Sequence, residues 1–406
     1  MRTLLIIVLV LALAIGAIAL YLFATTPKSA APLTMPLAPA HRALLAHVPS
    51  SADAFALAPT AALLDNKLLG NPVTRDSTER FLEQQPMPPP WLLGRADLVA
   101  WRTEKRTAYA IRLDAIRSLL VRLWLAFASG VDARSEGEIF LINADPEPPL
   151  AARELDELLR VAQPLPAGDV LVIQRNSERG AYPPIGRPAA SSVRVTPREI
   201  VIISRAEARN AAPLTARVTA RFPTGALLAV TFARPPRILG DVRRLLAADI
   251  EALVGSGGSI ALYDVDTGTL LPSPKGVIAV PSSEAARGEL SEVMAAANLI
   301  GQTAEANGQL LVSFDRRSMP LYLKDAFVPA TWPANQWSMR VDPDRLVPLL
   351  EKLGDSTALR YAAPRIHRSA RDLRRWIDAL RAAESVEIAS SSDASSEELR
   401  VRVASK

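Results

Sequence analysis

The stretch "ADLVAWRTEKRTAYAIRLD", residues 96–114, decides the fold class of this protein. Apolar and polar residues alternate on both sides of the polar turn Thr103-Glu104-Lys105. A period of two is typical of strands that bury one face, and two such runs around a short turn predict an antiparallel hairpin. An apolar helix at 115–128 and another strand at 137–144 follow directly.

The same order of elements recurs along the chain, with strands beside hairpin partners and a helix only at every second or third element. Helices in every crossover would instead predict a doubly wound parallel sheet. The pattern therefore predicts an α+β fold of two tandem modules with mainly antiparallel sheet packed with amphipathic helices. We place the first module at 45–205, a polar and Ala-rich linker at 206–216 and the second module at 217–406.

Composition limits the chemistry that the chain can perform. Apolar residues make up 49% of the 406 residues, which is enough to fill cores. A net charge of +5 over this length does not indicate a nucleic-acid partner. The chain has no cysteine, so disulfides, thiol nucleophiles and cysteine metal sites are excluded.

The N-terminal segment predicts a membrane anchor. Residues 4–23 contain no charged residue, and a helix of that length is about 30 Å long, the thickness of a bilayer core. We therefore expect an uncleaved signal-anchor at 1–23, followed by a Pro- and Ala-rich stalk at 24–44. The alternative is that the N-terminal segment is a signal peptide that is cleaved off. Arg2 before the segment and Lys28 after it predict a single-pass protein of the bacterial inner membrane, with a cytoplasmic N-terminus and a periplasmic body.

One resemblance follows from the segment "HVPSSADAFALAPTAALL", residues 47–64, in which a strand runs into a helix after the apolar N-terminus. It resembles the opening of uncharacterised bacterial envelope proteins that are N-terminally anchored and built from repeated α+β modules. The resemblance implies location and architecture, and it attaches no chemistry to any residue.

The motif "DVDTGT", residues 264–269, is similar to the catalytic loop of aspartic peptidases. That chemistry needs two carboxylates that share a proton, and no second Asp-Thr-Gly or Asp-Ser-Gly is present. A retroviral-type peptidase would have to pair Asp266 with its copy in a homodimer. The alternating residues on either side favour a hairpin turn at Asp266-Thr267-Gly268 instead.

Other catalytic patterns are missing from the sequence. The glycine-rich stretch at 255–259 follows a predicted helix and precedes a strand, which is the reverse of a phosphate-binding loop. His41, His47 and His367 have no metal-ligand spacing. We predict no cofactor, no metal and no catalysis.

Two surfaces are candidates for binding. The segment 365–381 places Arg368, Arg371, Arg374 and Arg375 on or beside one face of a helix; this is either a solvated face or a surface for an anionic lipid or glycan.

The second surface is the helix at 118–128, which is apolar nearly all round. This pattern favours a buried central helix, with a partner or lipid surface at Trp124 and Phe127 as the alternative.

The function predicted from these features is a non-enzymatic binding or scaffolding subunit of a bacterial envelope assembly. We expect it to be held to the inner membrane through residues 4–23 and to contact a protein partner in a membrane complex. The alternatives are a homodimeric aspartic peptidase using Asp266 and a periplasmic lipid- or glycan-binding protein.

Overall fold

The structure is a computed structural model. It describes residues 20–22, 24–25, 32–59, 61–84, 88–94, 96–103, 107–127, 131–175, 188–207, 220–233, 257–266, 273–296, 302–313, 315–355, 374, 377–393 and 395–406. The chain divides into two compact units, Met1–Pro197 with Ile203–Glu207, and Arg198–Ile202 with Ala208–Lys406. We call these unit 1 and unit 2.

Unit 1 alternates short strands with amphipathic helices. Its strands are β1 Ala54–Ala58, β2 Asp97–Arg102, β3 Thr107–Arg112, β4 Ala133–Glu136, β5 Ile139–Ile142, β6 Val170–Gln174, β7 Ala189–Val195 and the last residues of β8 Glu199–Glu207. Its helices are α1 Pro39–Leu45, α2 Ala61–Gly70, α3 Pro72–Gln84, α4 Pro90–Leu93, α5 Ala115–Phe127 and α6 Ala152–Ala162.

The strands of unit 1 form antiparallel sheet in the order β8-β7-β6-β1-β2-β3-β5-β4. The hairpin predicted from residues 96–114 is confirmed, since β2 pairs with β3 in the register Trp101↔Ala108. Strand β3 is buried on both faces, because Ala108 and Ala110 belong to one apolar cluster and Tyr109 and Ile111 to another. Leucines of α1 and α6 belong to the first cluster, and residues of α4 and α5 to the second.

Unit 2 follows the same construction. Its strands are the first residues of β8, then β9 Arg221–Pro223, β10 Leu228–Phe232, β11 Gly258–Asp266, β12 Ser273–Pro281, β13 Gln302–Ala306, β14 Gln309–Ser313, β15 Phe327–Pro329, β16 Trp337–Val341, β17 Ala383–Ser392 and β18 Ser396–Ser405. Its helices are α7 Glu284–Ala296, α8 Ser318–Lys324 and α9 Pro343–Asp355.

The main strands of unit 2 are ordered β13-β14-β12-β11-β10-β16-β17-β18, and β9 pairs separately with β15. Strand β14 places Leu311 in one apolar cluster and its neighbours Leu310 and Val312 in a second cluster. As in β3, a period of two sends successive side chains to opposite faces, so this strand too is covered on both sides.

The predicted fold class, a transmembrane helix followed by two α+β modules, is wrong. Antiparallel sheet dominates the described residues of each unit, with eight strands in the order given for unit 1 and eight in the main order given for unit 2. The physical reason is that hairpin strands keep unpaired backbone groups at their edges, and pairing edge to edge with the next hairpin satisfies those groups. Within each unit, helix residues belong to the apolar clusters on the faces of the sheet.

The predicted signal-anchor also requires correction. Residues 4–19 and Phe23 lie outside the described residues, and within the part that is described no helix is long and apolar enough to cross a membrane. A span needs about 20 apolar helical residues, whereas α3, α5, α7 and α9 have 13 residues each. For the described part of the chain, the transmembrane helix, the single-pass topology and the inner-membrane location are wrong.

The predicted stalk and linker differ from the structure where it describes them. Residues 39–45 form helix α1, which includes most of the C-terminal end of the predicted stalk. Leu33, Leu37 and Leu44 are buried in the core of unit 1, because removing their apolar side chains from water is favourable. Of the linker, residues 206–207 belong to β8, and 208–216 lie outside the described residues.

Candidate functional site: an exposed apolar face on helix α5

Helix α5 is held to unit 1 by one face. Asp114 accepts a hydrogen bond from the backbone N–H of Arg117 at 2.9 Å, which is the geometry of a side-chain N-cap. Val121 is fully buried in the cluster that contains Tyr109 and Phe140, and Trp124 packs against that cluster. The cap and the buried stripe fix the position and rotation of the helix.

The opposite side of α5 carries large apolar side chains in contact with solvent. Leu119 is 59% exposed and Phe127 is 88% exposed. We define the α5 face by the four exposed side chains at helical spacing, Ile116, Leu119, Leu123 and Phe127. Because residues three and four apart are neighbours on a helix surface, the four side chains form a continuous stripe. Single exposed apolar residues are common, but a contiguous patch marks an interaction site.

Polar groups are scarce on the solvent side of α5. Besides the α5 face, its exposed residues are Ala115, Arg122 and Ala126. Arg122 donates a hydrogen bond to the Ser135 hydroxyl at 3.2 Å and lies over the Phe140 ring, with 5.7 Å from its Cζ to the centroid. The guanidinium therefore lies toward β4 and β5, at the edge of the apolar stripe.

A buried arginine stabilises the start of α5. Arg117 is 3% exposed; its Nη1 is 2.7 Å from Asp114 Oδ2 and its Nη2 donates to Thr25 Oγ1 at 2.7 Å. Its Cζ lies 5.5 Å from the centroid of the Tyr21 ring. Within the described residues its Nε has no hydrogen-bond partner. These contacts attach residues 21 and 25 to the first turn of α5.

The electrostatics of this cluster favour the ion pair. Burial alone would raise the pKa of Asp114, but hydrogen bonds from the Arg117 amide and guanidinium, together with its charge, hold that pKa below its ordinary value. The pKa of Tyr21 is raised, first by burial and then by the hydrogen bond and charge of Asp114. At neutral pH the pair is therefore ionised and the tyrosine is neutral, so the buried cation is compensated.

The structure separates the two residues that the sequence suggested for an apolar surface. Phe127 is the most exposed member of the α5 face, whereas Trp124 is half-buried and packs against the core. The favoured prediction of a buried central helix is therefore wrong, because Leu119, Leu123 and Phe127 are exposed. Sequence reasoning missed Ile116, Leu119 and Leu123 as exposed residues, because apolar residues occur nearly all round this helix and do not indicate which side faces solvent.

The candidate basic surface is described at one position. Arg374 is exposed, and Arg368, Arg371 and Arg375 lie outside the described residues. The suggested surface for an anionic lipid or glycan stays a prediction.

Asp266 is the last residue of β11, in register with Ser273 of β12. Lys275 Nζ lies 3.6 Å from Asp266 Oδ2 and 3.5 Å from Asp264 Oδ2. The described neighbour of the Asp266 carboxylate is thus a lysine cation, whereas a peptidase dyad pairs its aspartate with a second acid. The described part of the return strand β12 starts at Ser273, and the predicted turn residues Thr267 and Gly268 lie outside the described residues.

A polar cavity of about 280 Å³ adjoins these acidic residues. Its charged lining groups are Asp264, Asp266 and Lys275 of the hairpin, with Arg345 and Lys352 of α9. Arg345 is also paired with Asp342 at 3.3 Å, so most of these charges already have partners. No group of three acidic or histidine side chains that could hold a metal occurs among the described residues.

Comparison with known proteins gives little further information. No protein-family model matches the chain, and no curated protein matches it. A solved structure titled "Structure of crystal form III of TP0453" is 9% identical in sequence and covers 71% of this chain and 94% of that chain, with a TM-score of 0.23. At that TM-score the similarity carries no argument about fold or function.

Proposed function

We propose that this chain is a non-enzymatic binding protein and that the α5 face is its docking surface. The observation that carries the proposal is the stripe of Ile116, Leu119, Leu123 and Phe127, exposed on a helix whose other side is packed in the core. Removing apolar surface from water gains about 25 cal/mol per Å². Binding of a partner that covers the stripe is therefore favoured by the free energy of removing these side chains from water.

The way α5 is held also favours binding. The position of the helix is fixed within the chain itself by three features: its N-cap, the buried Val121 and the Arg117–Asp114 ion pair. A preorganised surface loses little conformational entropy when it is covered, and that loss otherwise weakens binding. A rigid apolar face is thus a better docking surface than the same residues on a mobile loop.

The peptidase alternative has less support. Its one candidate residue, Asp266, forms an ion pair with Lys275, and the geometry around it is that of a charged hairpin end. Catalysis by a proton-sharing dyad requires a second carboxylate beside Asp266, and the sequence contains no second Asp-Thr-Gly or Asp-Ser-Gly.

The absence of cysteine from the sequence allows a direct test of docking. We would introduce Leu123→Cys on the α5 face and, as a matched control in the same unit, Arg153→Cys on α6, where the parent side chain is 92% exposed. The rate of modification by N-ethylmaleimide would be measured in intact cells and for the purified protein.

If the α5 face is a docking surface, the thiol at 123 reacts more slowly in cells than in the purified protein, while the thiol at 153 reacts equally in both. Equal rates at 123 in the two settings would contradict the proposed function.

A further inference from the structure

We infer that the partner that covers the α5 face is the surface of a lipid bilayer. This inference rests on the proposed function and names the partner for the same surface. It is carried by the chemistry of the face and by the position of Arg122 beside it.

The chemistry of the α5 face suits hydrocarbon. Its four side chains are aliphatic or aromatic and carry no hydrogen-bonding group, and the two exposed alanines of α5 add only methyl groups. A protein interface of ordinary size includes about one hydrogen bond per 100–200 Å², so a surface intended for a protein usually offers donors or acceptors. The acyl region of a bilayer requires none.

Arg122 supplies the charge that an interfacial helix needs at its edge. It lies one position before Leu123 and three after Leu119, and its exposed guanidinium is directed to one side of the stripe by Ser135 and Phe140. Arginine side chains at such positions keep their charge at the phosphate level while apolar neighbours enter the acyl boundary. The arrangement fits a headgroup phosphate next to Leu119 and Leu123.

The first test measures depth in a membrane. The full-length Leu123→Cys and Arg153→Cys proteins would carry a nitrobenzoxadiazole fluorophore and be mixed with phosphatidylcholine vesicles, with and without nitroxide-labelled lipid. We expect the label at 123 to shift to the blue and to be quenched by the nitroxide, and the label at 153 to change in neither respect. If the label at 123 is quenched no more than the label at 153, the inference is wrong.

The second test measures affinity. Leu119→Gln with Leu123→Gln retains good helix formers in α5, and Phe81→Gln makes the same kind of change at an exposed apolar residue of α3. Loss of each leucine should weaken partitioning into the same vesicles about tenfold, whereas Phe81→Gln should leave it unchanged. Equal partitioning of the double variant and the parent would mean that another part of the chain carries the adsorption, and it would overturn the inference.

The lipid inference and the proposed function can fail separately. If the thiol at 123 is protected in cells but the fluorophore at 123 is not quenched by the nitroxide lipid, the bilayer is rejected as the partner and docking through the α5 face remains supported. A thiol at 123 that is unprotected in cells rejects both.

Discussion

Gly94 lies against the guanidinium of Arg117, and a Cβ built on this glycine would overlap the atoms Cζ, Nε and Nη2. Gly94 also has a φ of +55°, in the left-handed region that favours glycine. The backbone at the end of α4 therefore forms one wall of the pocket that encloses the buried cation. The absence of a side chain at residue 94 is what leaves room for Arg117.

We expect Gly94→Ala to lower the free energy of unfolding of unit 1 by about 2–4 kcal/mol, because it adds backbone strain and displaces a buried charge. Gly137 has a φ of +65° and nothing within 4 Å of an added Cβ, so Gly137→Ala adds the backbone strain without a steric overlap. This control should lower the free energy of unfolding by about 1 kcal/mol. Gly70→Ala has neither effect and should be neutral. Urea unfolding of the variants checks this order; equal losses for Gly94→Ala and Gly137→Ala would show that Arg117 adjusts freely.

Arg117→Met should destabilise unit 1 by about 1–3 kcal/mol, since it leaves Asp114 without its cation and Thr25 without its donor. Arg122→Met, on the exposed edge of the same helix, should change stability by less than about 0.5 kcal/mol. Urea unfolding provides the comparison, and limited proteolysis near residue 25 should quicken in Arg117→Met alone. A similar loss in both variants would contradict a specific role for the buried pair.

Asn71→Ala should cost about 2 kcal/mol. Asn71 is fully buried; its side chain accepts from the Val73 amide as the N-cap of α3 and donates to the Thr196 carbonyl at 2.7 Å, so both a cap and a buried bond are lost. Ser77→Ala, at an exposed position of the same helix, is the matched control and should be close to neutral. Thermal unfolding followed by circular dichroism measures both; indistinguishable midpoints would disprove the assignment.

The loop between β17 and β18 should lose stability in acid. Burial alone would raise the pKa of Asp393, but hydrogen bonds from the hydroxyls and amides of Ser395 and Ser396 outweigh it and lower the pKa from 3.8 to about 2. A depressed carboxyl pKa stabilises the fold above the unfolded value and loses that effect as pH falls through the folded value. The stabilisation should therefore be complete above pH ~4 and disappear between pH ~4 and ~2.

Because Asp393 is exposed and solvent screens its interactions, its contribution should not exceed about 1 kcal/mol. Amide hydrogen exchange of the β17–β18 hairpin between pH 2 and 5 provides the measurement. Protection in the parent should fall toward that of Asp393→Asn as the pH decreases. A constant difference between the two proteins over this range would rule out the ionised carboxylate as its source.

The sequence determined the elements whose signals are local. The alternation in residues 96–114 is enough to predict β2 and β3 and their antiparallel pairing, because a strand shows its period within a few residues and a short turn sets the partner. Helix α6 is likewise evident from the spacing of its leucines, which are buried on one side. The same local signals do not specify which hairpin lies beside which, and the fold-class prediction failed at that point.

The tertiary structure alone decided the orientation of α5. The residues of this helix are apolar on nearly every side, so the sequence shows no period that distinguishes a buried side from an exposed one. Val121 packs on Tyr109 and Phe140, whereas Leu119 and Phe127 face solvent. The choice depends on where β3 and β5 place their side chains, and those strands come from separate parts of the chain. A single apolar helix is equally compatible with burial and with exposure, and only the surrounding core determines which of its faces is left for a partner.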